Sequence, residues 1–270
     1  METIRTWPEH IDRAFRAFYY GGQYEKAIEA FAQRWGGFDA QSITRVLSEG
    51  TREEKALALF ALGYSDVPGA REILLPYLQS TEPMERWVSA LCLGEMKEER
   101  ALPTLFHMLD EFLPPRVHPL EREGGLYHFW RIKIAYLFGE WGRSDLAPVL
   151  RHRLEKSWNI EQAEQPDHKQ VWHAYQDELV YALGRLGAFG ALAGFSFPEP
   201  RFRLWMVTLS CGSLQARHRY GDLLTQLQIN EELKAEVAQV LEQRFGLSAQ
   251  ERAECIDRYA DVYFARMEWK

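Results

Sequence analysis

With 270 residues, 46% apolar and 26% charged, the chain can build an extensive interior, yet no run reaches the roughly eighteen apolar residues of a membrane span. A formal net charge of −7 argues against wrapping duplex nucleic acid as the main task, since phosphate neutralisation supplies most of that affinity. Three scattered cysteines speak against a disulfide framework, and no apolar stretch follows Met1-Glu2-Thr3-Ile4-Arg5, so a cytoplasmic protein without a signal peptide is expected.

The first predicted elements are two helices around Gly21-Gly22, within Phe15 to Phe31. That stretch is similar to a single tetratricopeptide hairpin. One copy is read as a cap over residues 1–50, because a terminal repeat must cover an exposed apolar face. Thr51-Arg52-Glu53-Glu54 reads as a capping box. It opens a helix that closes on Ala58-Leu59-Phe60-Ala61-Leu62-Gly63.

That phrase returns as Ser89-Ala90-Leu91-Cys92-Leu93-Gly94 and Ile134-Ala135-Tyr136-Leu137-Phe138-Gly139. It returns again as Leu179-Val180-Tyr181-Ala182-Leu183-Gly184, and most weakly as Val207-Thr208-Leu209-Ser210-Cys211-Gly212. Successive glycines lie 31, 45, 45 and 28 residues apart. About thirty residues hold two short helices and two turns, so the longer steps carry insertions. A second helix follows each of the first three phrases. Ala70, Leu74 and Leu78 mark one, Ala101, Leu105 and Leu109 the next, and Leu146, Leu150 and Leu154 the third. Intervals of four place those side chains on one packing face. Thr81 before Pro83 reads as an N-cap, and Pro103 and Pro148 suit a first helical turn. Gly194, Pro198 and Pro200 interrupt the fourth unit's second helix. Two last helices, about 231–245 and 249–267, the latter opened by the box Ser248 to Glu251, are expected to cap the far end. The phrase glycines fit left-handed C-caps, which predicts positive φ at Gly94 and Gly139.

Self-similarity on this scale means stacked helical units. The basic residue eight before the glycine (Lys55, Arg86, Arg131), the alanine-rich stretch and the Leu-Gly close carry a family resemblance. The pattern resembles the HEAT-like repeats of the phycobilisome-lyase type, over residues 51 to 228. Gln176 and Leu204 depart from it at the basic position. The resemblance implies an all-α HEAT-like solenoid of about five helical pairs. We expect a single domain over 1–270, with helical caps at 1–50 and 229–270.

Two insertions at one phase of the repeat, near 110–129 and 155–174, are expected to project from one edge and to carry function. The first holds Arg116, His118, Tyr127 and His128; the second holds Trp158, His168 and Trp172. Trp141 and Arg143 follow Gly139, and Arg151 and Arg153 lie on the next helix. Exposed aromatics beside arginines are the usual anchors of protein interfaces. Trp87, Trp130 and Trp205 read instead as core. No metal site is expected: His168 and His173 are five apart, and neither Cys-x-x-Cys nor His-Glu-x-x-His occurs. The His-Glu pairs that hold iron in HEAT-like deoxyhypusine hydroxylases are also absent. No Gly-x-Ser-x-Gly or phosphate loop is present, so no catalytic residue and no cofactor are assigned.

The expected function is a non-catalytic scaffold for a protein or peptide partner, bound through the concave face and inter-repeat loops. Nucleic acid and membrane are not expected as partners. One alternative is a nucleic-acid-binding repeat protein. Lys156-Ser157-Trp158 is faintly similar to HEAT-like alkylpurine DNA glycosylases, with Asn159 where an acid would be wanted. Another is a bilin-lyase-like chaperone, implied by the repeat type.

Overall fold

The computed structural model describes residues 31, 33–36, 39–63, 68–111, 126–163, 169–194, 199–214, 227 and 230–267. Every regular element among them is helical. The chain divides into two compact units, Met1–Ile134 and Ala135–Lys270.

Unit 1 contains α1 (Ala40–Glu49), α2 (Arg52–Gly63), α3 (Ala70–Leu74) running on as a 3-10 turn, α4 (Pro83–Glu95), and α5 (Leu102–Glu111). It ends inside α6 (Leu126–Trp141). Asp39 caps α1 by accepting the Ser42 N–H at 2.7 Å. The capping box of α2 forms: the Thr51 N–H donates to Glu54 Oε2 at 2.8 Å, and the Glu54 N–H donates to Thr51 Oγ1 at 3.3 Å. The start of α4 differs from expectation. Its N-cap is Glu82, not Thr81; Ser80 Oγ accepts the Glu82 N–H at 3.1 Å, and Pro83 takes the first helical position. Proline needs no donor partner there, so the cap shifts onto the residue beside it.

Unit 2 contains the end of α6, then α7 (Ala147–Ala163), α8 (Lys169–Arg185), α9 (Glu199–Ser213), α10 (Glu231–Phe245) and α11 (Ala249–Met267). Helices α10 and α11 pack on α9 around Met206, Val207, Cys211, Leu233, Val237, Leu241, Cys255, Ile256 and Tyr259. Asn230 caps α10, and Gly246, at φ 68°, ends it.

Both units use one turn. Three residues past the phrase glycine the backbone becomes left-handed, at Lys97 (φ 54°), Gly142 (φ 66°) and Gly187 (φ 68°). The Glu98 N–H reaches back to Leu93 O and the Ala188 N–H to Leu183 O, each at 2.9 Å. These are Schellman closures, which satisfy the last helical carbonyls. A 3-10 turn follows at the same phase, Glu99–Ala101, Ser144–Leu146 and Phe189–Leu192. The second helix then begins in the first two cases. In the third it does not: Ala193 is extended and Gly194 stands at φ 83°. The triplets Ala70/Leu74/Leu78, Ala101/Leu105/Leu109 and Leu146/Leu150/Leu154 are all buried.

The expected caps at Gly94 and Gly139 are therefore corrected. Neither has a positive φ; both lie within helices, one turn before the true cap. The phrase glycine is a packing residue. A Cβ on Gly63 would sit 2.2 Å from Cys92 Sγ, and one on Gly139 would sit 3.1 Å from Ala182. A Cβ on Gly184 would sit 2.1 Å from Leu209 O, and one on Gly212 would sit 2.2 Å from Tyr181 O. Glycine is kept because the neighbouring helix occupies that space.

Parts of the two expected insertions are helical. Residues 126–129 belong to α6, while 155–163 and 169–174 extend α7 and α8. Most of the second insertion lengthens helices instead of projecting as a loop. Residues 112–125 and 164–168 lie outside the described residues, and so does the shared edge expected of the loops.

Two outcomes test this packing and turn chemistry. An alanine in an open helix interior gains about 0.5–1 kcal/mol over glycine. Gly63→Ala is instead expected to lose about 1–3 kcal/mol by overpacking. Cys92→Gly in the same chain should recover part of that loss in urea unfolding, because it removes the obstructing Sγ and Cβ. The second outcome concerns Glu98. Arg100 donates to its carboxylate at 2.7 and 3.0 Å, with the Arg100 N–H and Arg71 also near, and this holds its pKa at about 2 against an ordinary 4.5. Its folded pKa is depressed, so its stabilisation is present above pH 4.5 and fades as pH falls from 4.5 toward 2. Glu98→Gln should flatten the loss of stability across that window, measured as the urea midpoint against pH.

Candidate functional site

Of the residues singled out in the sequence, Arg116, His118 and His168 lie outside the described residues. Tyr127 and His128 stand in the first turn of α6, and Trp172 in the first turn of α8. Trp141, expected to be exposed, is half-buried as the last residue of α6. Arg143 follows in the turn and holds Asp145 through two bonds of 3.1 and 2.6 Å. That contact lowers the Asp145 pKa. An exposed pair of this kind contributes little stability.

Arg151, Arg153 and Trp158 share α7, and here the structure gathers side chains from three helices. Arg151 is exposed and donates to Ala193 O at 2.9 Å, tying α7 to the 3-10 turn after α8. Arg153 is buried, 7% exposed, so it is part of the interior and not of the surface expected for it. Trp158 is half-buried and meets Trp205 edge to face, ring centres 5.7 Å apart at 74°.

Trp205 leads to residues that the sequence reading did not select. Its Nε1–H donates to Asp177 Oδ1 at 3.1 Å. Arg201 Nη2 lies 3.2 Å from the same oxygen and donates to Gln176 Oε1 at 3.1 Å. The Arg201 guanidinium also lies over the Trp205 ring, 5.2 Å from its centre. Ser157 and Glu178 are buried alongside in the same helices. Helix α7 thus supplies Trp158, α8 supplies Gln176 and Asp177, and α9 supplies Arg201 and Trp205.

Taking an aspartate and an arginine out of water costs several kcal/mol per ion, which only good geometry and extra hydrogen bonds recover. Here one carboxylate oxygen takes two donors and the guanidinium has a second acceptor, so the geometry supplies both. The local sequence explains the placement. Gln176, Asp177 and Glu178 interrupt the buried apolar run of α8, and Arg201 and Trp205 are one helical turn apart, which aligns cation and ring. Those two features were legible in the sequence, as polar residues inside a core helix and an i,i+4 Arg-Trp pair. Their meeting across helices was not.

Burial pushes the Cys92 thiol upward and the Cys211 thiol to about 12, so neither is a thiolate at neutral pH. Burial also raises the Tyr181 phenol. Among the described residues, no group of three or more His, Cys, Asp or Glu is placed to hold a metal ion, and no helix is long and apolar enough to cross a membrane.

Residues 41–117 match the family of HEAT repeats. No curated protein and no solved structure matches the chain. The match covers the helices from α1 to α5, and unit 2 repeats their turn: left-handed residue, 3-10 turn, second helix. The described residues have an all-α, HEAT-like repeat fold, and residues 41–117 carry the family match. The phycobilisome-lyase subtype is not distinguished by the match.

Removing one member of the cluster strands the others. Asp177→Ala, which strands the Arg201 guanidinium and the Trp205 N–H together, should destabilise the fold by about 3–5 kcal/mol in urea unfolding. In a double-mutant cycle in urea, Asp177→Ala and Arg201→Ala should couple by about 0.5–3 kcal/mol. Additive losses would mean that the pair is not joined in solution.

Proposed function

We propose that the chain is a non-catalytic scaffold that binds a protein or peptide across the inner face of its repeats and the turns between them. The observation that carries this reading is the HEAT-repeat match over 41–117, joined to a turn that recurs in both units. Stacked repeats of this kind bury their apolar stripe against neighbours and leave an extended surface that serves binding. The fold by itself is silent on chemistry, so the proposal rests on what the side chains can do. In unit 2 the binding residues are proposed to be Trp141, Arg143, Arg151 and Trp158, which retain solvent exposure. Arg153 is withdrawn from that set because it is buried. Arg116, His118, Tyr127, His128, His168 and Trp172 stay in the proposal on sequence grounds alone.

The second reading, nucleic-acid binding, draws on the tryptophans and arginines gathered by α7 and α9, since bases stack on aromatic rings beside cations. The whole-chain charge of −7 opposes it at long range. A titration of labelled duplex separates the two. The scaffold reading expects no micromolar binding at ~0.15 M salt, and only weak binding when salt is removed. Micromolar or tighter binding at that salt, lost on Arg143→Ala with Arg151→Ala, would replace it with the nucleic-acid reading. A partner cross-linked to the wild-type chain in its native host, and released by Trp158→Ala in a variant that keeps its unfolding midpoint, is the positive result expected. A chromophore co-purifying with the chain would favour the bilin-lyase-like alternative.

A further inference from the structure

We draw no further inference here: the strongest candidate, the polar and aromatic side-chain cluster of Trp158, Asp177, Arg201 and Trp205 where α7, α8 and α9 meet, belongs to the site already described, and nothing in the structure shows what docks against its half-buried rim.

Discussion

Gly184 and Gly212 face one another's helices with no side chain between them. A Cβ on the first would sit 2.1 Å from Leu209 O, and a Cβ on the second 2.2 Å from Tyr181 O. Helices normally pack 8–10 Å apart because side chains separate them. Glycine removes that layer, so the backbones of α8 and α9 meet. Gly63 makes room instead for a side chain, that of Cys92, between α2 and α4. The repeat is built around this contact. Once it fixes where two helices cross, the apolar phrase on either side must be buried, and the phrase residues at 56–62 and 179–183 are. Ion pairs join the next helices along: Glu95 of α4 with Lys133 of α6 in unit 1, and Glu140 of α6 with Arg185 of α8 in unit 2.

The same crossing positions the candidate site. Helices α8 and α9 are held at one end by the glycines and farther up by Asp177, Arg201 and Trp205. Trp158 comes from α7 onto the edge of Trp205. Held against that pair, the half-buried Trp158 of α7 needs little further ordering on association, which suits the binding role proposed for it. The missing second helix of the fourth unit alters the neighbourhood further. Its place in the chain is a 3-10 turn, whose Phe189 meets Phe245 edge to face with Arg244 over its ring, while Arg151 anchors Ala193.

Much of the fold was legible in the sequence. The five phrases located the first helices, and every-fourth leucines located the second ones. The boxes at Thr51 and Ser248 form as read. Glycine's two uses were harder to separate. A glycine at the end of an apolar run suits either a cap or a close helix contact, and only the partner helix decides. The sequence did hold a hint in Gly142 and Gly187, three residues after Gly139 and Gly184. They are the left-handed residues, so the phrase glycine had no capping role left to fill. Lys97 hid the pattern by standing in that position without being glycine. The site was less legible, since Asp177, Arg201 and Trp205 are 24 and 4 residues apart in sequence and meet only through the α8–α9 crossing. Arg153 and Arg151 are two apart, yet one is buried and one exposed, because successive helix positions point to different faces.

The most direct measurement compares Gly184→Ala with Gly187→Ala in equilibrium unfolding. Gly187 has open space around its Cβ position and φ 68°, so alanine there should lose about 1 kcal/mol to left-handed strain and nothing more. Gly184 sits at ordinary helical geometry, where alanine would gain about 0.5–1 kcal/mol if the space were empty. Backbone contact with α9 predicts the opposite sign, a loss larger than that of Gly187→Ala. A Gly184→Ala chain more stable than the wild type would contradict the account.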